Sequence, residues 1–208
     1  MRTKLAIQIL SVLTLAVSSA AYSANNDDMF AMQKTEVANQ ELFLNGLGAV
    51  KKLNSIYYIG ALYLPEKSDI DSDIIFLEKP KKVILKFAID RVSARGFGRE
   101  LAGSLKINNV PEEIAAYRND LRKFVGFFKG IYQKGDSLAF EYVPKRGISV
   151  KLNEELIGTV TRKGFDKLLF KAFLGEKPFS THFKKGLIGR NEAELALDLQ
   201  RKYIDISN

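Results

Sequence analysis

The stretch SLAFEYVPKRGISVKLNEELIGTV, residues 137–160, holds three short runs in which apolar and polar side chains alternate: 137–143, 147–152 and 154–160. A period of two places successive side chains on opposite faces of a strand. The connections at Lys145–Gly147 and Asn153–Glu154 are short enough only for hairpin turns, whereas parallel neighbours need a crossover of a dozen or more residues. The three runs are therefore predicted to be consecutive antiparallel strands.

Upstream, Val83, Leu85, Phe87 and Ile89 alternate with Lys82, Ile84, Lys86 and Ala88, the clearest strand in the chain. Residues 55–64 are aromatic and aliphatic on both faces, the pattern of a central strand covered on two sides, and Pro65 ends it. Leu42 and Leu44 begin an earlier alternating run that leads into a turn containing Gly46 and Gly48. A short helix or turn is expected around 70–77. Ser93 is a fitting N-cap for a helix whose apolar stripe is Ala94, Phe97, Leu101 and Leu105. Pro111 suits the first position of a second helix, along which Ile114, Tyr117, Leu121, Phe124 and Phe128 recur at spacing three to four. After the meander, Phe165, Leu168, Leu169, Ala172 and Phe173 form one side of a helix that stops at Gly175. Short helices are predicted from Ser180 and from Asn191, where Asn191 and Glu194 make a capping-box-like pair. This order does not compose βαβ units. It gives an α+β fold, a large antiparallel sheet with helices gathered over one face.

The chain has 208 residues, 46% hydrophobic and 27% charged, which fits one ordinary domain and argues against disorder or several membrane spans. Residues 1–24 are expected to be a secretory signal peptide. Arg2 and Lys4 form a basic start, 5–17 an apolar run shorter than the roughly 20 residues a spanning helix needs, and small residues precede a cut between positions 20 and 24. The mature chain is then expected in the periplasm, with 25–40 as a polar, flexible lead-in. Loss of Arg2 and Lys4 takes the formal charge from +8 to +6. The basic residues are scattered, without an aromatic-rich RNA-binding signature, so nucleic acid is not an expected partner and an anionic lipid surface is the candidate.

With no cysteine and one histidine, thiolate chemistry, disulfides and a His-rich metal site fall away, and no cofactor is expected. His182 stands beside Phe183 without an identifiable acid–base partner. RGFGRELAG, residues 95–103, carries Gly96 and Gly98 but misplaces the third glycine of a dinucleotide fingerprint. No carboxylate pair stands out for acid–base work.

NGLGAVKKLNSIYYIGALYLPE, residues 45–66, leads from a Gly-x-Gly element into a strand ending in Leu-Tyr-Leu, and resembles the start of the chalcone isomerase-like family, in particular its bacterial exported branch. The likeness continues through Lys82–Asp90 followed by Ser93, through Lys123, Phe124 and Phe128, through GDSLAFEYVP (135–144) and KLNEELIGTV (151–160), and through FLGEKPFSTHFKKGLIG (173–189). It covers 41–189 and leaves 190–208 as a C-terminal helical extension, where Ala193, Ala196, Leu199 and Tyr203 would dock on the domain or a partner.

The resemblance implies an open-faced sandwich with an apolar cleft between sheet and helices. In the plant enzymes that close a chalcone to a flavanone, an arginine follows the Gly-x-Gly element by two residues; that position here is Val50. The family's helix threonine falls on Ala172. A positioned donor at a developing oxyanion contributes about 2.7–4 kcal/mol, which valine cannot supply. Lys52 shares the strand face of Val50 and would be a partial substitute, though a flexible point charge does not reproduce a planar fork. Tyr57 and Tyr58 are candidate donors, with packing the commoner role.

The expected catalytic set is therefore empty, and the expected ligand-binding residues begin with Val50, Lys52 and Tyr58. Phe87, Phe97, Tyr117, Phe124, Phe128, Leu169, Ala172 and Phe173 complete them, with Phe165 also facing inward; whether these rings line a hollow or fill it is open. Three functions follow: a non-catalytic binder of a fatty-acid-like or other amphipathic apolar ligand; an isomerase on an unknown enone substrate; or an envelope interaction module with a solid core.

Overall fold

The meander forms where alternation predicts it, and it is the last part of a larger sheet. The strands are β1 (Lys34–Val37), β2 (Gln40–Lys52), β3 (Ser55–Leu64), β4 (Lys81–Phe87), β5 (Val92–Ser93), β6 (Ile131–Tyr132), β7 (Ser137–Val143), β8 (Gly147–Leu152) and β9 (Glu155–Val160). Seven of them make one antiparallel sheet in the order β1-β2-β3-β4-β7-β8-β9, while β5 and β6 pair separately. The helices are α1 (Asp71–Phe76), α2 (Ala94–Ile107), α3 (Pro111–Ala116), α4 (Arg118–Val125), α5 (Phe165–Leu174), α6 (Thr181–Leu187) and α7 (Ala193–Asp205). This computed structural model describes residues 27–206. It divides into Met1–Gln33 and Lys34–Asn208, and all of these elements belong to the second unit. The signal peptide expected over 1–24 lies outside the described residues.

Four local expectations need correction. Residues 34–37, expected within a flexible lead-in, form β1 and pair with β2 from Lys34↔Phe43 to Val37↔Gln40. The expected glycine turn is not a turn, because β2 continues through Gly46 and Gly48, with a register shift against β3 between Leu44 and Gly46. A Cβ at Gly48 would fall on the carbonyl of Phe183, one at Gly46 on that of Gly186, and one at Gly186 on that of Leu47. Glycine is used here so that α6 can lie directly on the strand backbone. The real reversal is at Leu53 and Asn54, both left-handed at φ 48° and 66°; a leucine held there costs about 1–2 kcal/mol. The helix expected from Pro111 to Phe128 breaks at Tyr117 and ends at Val125. Asn191 does not cap α7, whose N-cap is Glu192 without a side-chain hydrogen bond. Its amide instead donates to the Leu47 carbonyl at 2.8 Å. The Ser93 and Ser180 caps form, accepting from the Gly96 and Phe183 amides.

The inner face of the sheet carries Leu62, Leu85, Phe87, Leu138 and Phe140, buried against Phe97 and Leu101 of α2, Phe124 of α4, and Phe165, Leu169 and Phe173 of α5. Phe124 meets Phe128 at 5.2 Å and Phe165 at 5.3 Å edge-to-face, a favourable ring geometry. Each such side chain contributes about 1.5–3 kcal/mol by leaving water. This part of the interior is filled. On the back of the sheet, Lys86 lies 4.0 Å over the Tyr203 ring and donates to its carbonyl at 3.3 Å, so α7 docks on the domain.

One buried charge holds the layers together. The Lys81 ammonium donates to the Ile74 and Ile75 carbonyls at 2.9 and 2.8 Å, satisfying two carbonyls at the end of α1. Asp166 of α5 lies 3.9 Å away, an ion-pair separation but too long for a hydrogen bond. Burial dominates the pair: it pushes Lys81 down to about 8 and the Asp166 carboxyl above its usual range.

Candidate ligand-binding site

At the β2–β3 end the packing opens. Val50 pairs with Tyr58 across the two strands, and Tyr58 pairs in turn with Phe87 on β4. Above them, α2 supplies Glu100, Ser104 and Ile107, and the loop after α5 supplies Lys177, Pro178 and Phe179. Together they border an open hollow of about 420 Å³, lined also by Lys51, Lys52 and Tyr57. That size suits a small ligand.

Tyr58 is the chemically distinctive group. Its ring is held edge-on by Phe87, Phe97 and Phe183 at 6.1, 6.1 and 5.6 Å, which fixes it in place. Its hydroxyl is buried and finds no hydrogen-bond partner among the described residues. Burial, reinforced by the nearby Glu100 carboxylate and by Tyr57, holds the phenol far above its usual pKa, so it is a neutral donor. Leaving such a group unpaired costs about 1–3 kcal/mol. Tyr57, beside it, is pushed up to about 12, chiefly by burial and also by Glu100.

Lys52 is already engaged. Its ammonium makes two 2.8 Å contacts to the Glu100 carboxylate and sits 3.8 Å over the Tyr57 ring. Lys52 is thus neutralised, and Val50 offers the interior no polar group. Ser104 is occupied too, donating to the Ala172 carbonyl at 2.9 Å.

Of the residues expected to bind ligand, the structure brings Val50, Lys52 and Tyr58 to this hollow; Phe87 and Phe97 support it through the Tyr58 ring. Phe124, Phe128, Leu169, Ala172 and Phe173 lie in the filled interior instead. Tyr117 stands near the start of α5, donating to the Lys163 carbonyl at 2.8 Å. Sequence reading missed Glu100, Ser104, Ile107 and Phe179, because their side chains meet β2 and β3 only through long-range packing. His182 lines a neighbouring hollow of about 510 Å³, which shares Val50, Lys51 and Phe179 with the first and is walled by α7. A larger groove of about 710 Å³ runs between α2 and α3–α4. The site is assigned to the smaller hollow because Val50, Lys52 and Tyr58 all line it and the buried Tyr58 hydroxyl has no partner among the described residues.

A family profile described as chalcone isomerase-like matches residues 25–189. The chain belongs to the chalcone isomerase-like family. Its fold is similar to that in the crystal structure of an Arabidopsis thaliana fatty-acid binding protein, with a TM-score of 0.54, 13% identity, and coverage of 83% of this chain and 92% of that one. No curated protein matches the chain significantly by sequence. In this chalcone isomerase-like chain, α7 lies beyond the family match and forms one wall of the second hollow.

Proposed function

We propose that this chalcone isomerase-like protein binds an amphipathic, fatty-acid-like molecule without transforming it. The apolar part would occupy the hollow under α2, and a carbonyl, hydroxyl or carboxyl oxygen would accept the Tyr58 hydrogen bond. The observation that carries this reading is the buried Tyr58 hydroxyl, without a partner among the described residues, on a tyrosine paired across two strands with the aliphatic Val50. The similar plant structure is that of a fatty-acid binding protein, which supports an apolar ligand. Apolar burial supplies affinity without catalytic groups, at about 0.8 kcal/mol per methylene. A catalytic reading needs a cation positioned beside Tyr58; Val50 supplies none and Lys52 is held by Glu100, which leaves Lys51 and Lys177 on the lining.

Native mass spectrometry of the purified protein, followed by titration with a saturated fatty-acid series, tests the proposal. Co-purified lipid, or affinity rising with chain length, is expected. No bound lipid and no binding across the series would refute it, and loss of chalcone absorbance on mixing would restore the isomerase reading.

We further propose that the chain is exported to the periplasm with residues 1–24 removed, a reading supported by the basic start and apolar run of that segment. The intact mass of protein recovered from the cell envelope checks it: a mass beginning between residues 21 and 25 is expected, and an uncleaved chain contradicts it.

A further inference from the structure

The β2–β3 hairpin tip carries a leucine that the fold does not explain. Leu53 is 100% exposed and occupies the left-handed region, where a turn of this kind favours asparagine or glycine. Packing does not require it, and the backbone disfavours it. The tip projects beside the mouth of the hollow, since Lys51 lines that hollow and its neighbour. Across the mouth, Ile107 ends α2 at 60% exposure while lining the same hollow. Lysines surround these two prongs. Lys51 and Lys177 line the rim and Lys106 precedes Ile107. Among the described residues, none of these three ammonium groups pairs with a carboxylate, in contrast to Lys52 on Glu100.

We infer that this rim docks on the surface of an anionic lipid bilayer, with Leu53 and Ile107 entering the headgroup region and Lys51, Lys106 and Lys177 facing anionic lipids. Separate apolar prongs among unpaired cations suit a soft, charged headgroup layer. A stable protein partner would instead need a continuous, complementary surface of about 1,000 Å² or more. The formal charge of +8, or +6 once Arg2 and Lys4 are removed with residues 1–24, adds a favourable field of the same sign. The inference rests on the reading of the hollow as an apolar-ligand site, and it makes the membrane the source or destination of that ligand.

Co-sedimentation with vesicles of phosphatidylcholine, with and without phosphatidylglycerol, tests it. The wild-type protein is expected to sediment with the anionic vesicles only, and less so at high salt. Leu53→Asp is expected to weaken this by about tenfold or more, the loss of one leucine side chain returned to water. Aspartate accepts the left-handed conformation, so the variant should keep its thermal midpoint. It should also keep its affinity for a fluorescent fatty acid in vesicle-free solution. No sedimentation of the wild type, or equal sedimentation of the variant, overturns the inference; so does a Leu53-dependent complex with a protein in place of vesicles. Loss of fatty-acid binding in solution by the wild type while vesicle binding persists would refute the ligand reading and leave the docking surface standing.

Discussion

Val50 on β2 is the cross-strand partner of Tyr58 on β3, and both residues line the same hollow beneath α2. On this one face of the sheet an aliphatic side chain stands where an arginine would stand by family resemblance, and beside it is a neutral phenol without a partner among the described residues. An acceptor that reaches the buried Tyr58 hydroxyl would meet a donor already fixed by its surrounding rings.

Tyr58→Phe should therefore separate stability from binding. Removing a buried, unpaired hydroxyl should leave thermal stability unchanged or raise it by up to about 1 kcal/mol. The same change should weaken a fatty-acid ligand by about three- to tenfold, the value of one hydrogen bond. Thermal denaturation and calorimetric titration of the same preparation check both halves.

Val50→Arg should shift ligand preference. A guanidinium at position 50 faces Tyr58 and can pair with a carboxylate, a charge-assisted interaction of about 1.5–3 kcal/mol. Fatty acids should bind at least about tenfold tighter, with little gain for the matching alcohols. The ligand-free variant should be less stable, because the new charge is left unpaired in an apolar site. Parallel titrations with a fatty acid and its alcohol measure the split.

Gly48→Ala should destabilise the protein by about 1–3 kcal/mol or more, since the new methyl meets the Phe183 carbonyl and pushes α6 off β2. Phe183 packs on Tyr58, so the variant should also lose ligand affinity. Gly103→Ala is the control: a Cβ there meets nothing within 4 Å, and in a helix alanine should stabilise by about 0.5–1 kcal/mol. Denaturant unfolding of the two variants gives the comparison.

Stability should peak at mildly alkaline pH. Folded Lys81 titrates near 8, below its ordinary 10.5, so between those values the unfolded chain binds more protons and stability rises with pH. The buried tyrosines act in the opposite sense. Tyr57 is raised to about 12, and Tyr58, Tyr63, Tyr132 and Tyr203 are raised further, so the folded state keeps protons that the unfolded chain loses above about 10. Unfolding free energy measured across pH 7–11 should rise between 8 and 10 and then fall steeply. Lys81→Met should shrink the rise to the part contributed by Lys86, which burial also holds below its ordinary value, and keep the fall.

Much of the fold was legible because it rests on local periodicity. The meander, the clear strand through Val83, Leu85 and Phe87, and the apolar stripes of α2 and α5 all appear where alternation or helical spacing put them. Gly46 and Gly48 misled because the same residues serve turns and close backbone approach; the deciding partner, Gly186, lies far along the chain. The site was legible only in part. Val50 and Tyr58 sit on adjacent strand segments, within reach of sequence reasoning. Glu100, which neutralises Lys52, belongs to a helix 48 residues on. Which phenylalanines fill the core and which border a hollow depends on how α2 and α5 cross the sheet, and periodicity does not encode that.

A crystal structure with a medium-chain fatty acid addresses the central claim most directly. The account predicts ligand density in the hollow between β2–β3 and α2, with an oxygen within about 3 Å of the Tyr58 hydroxyl. Density confined to the helical-surface groove, or a chain in the hollow with its polar end turned away from Tyr58, would contradict it.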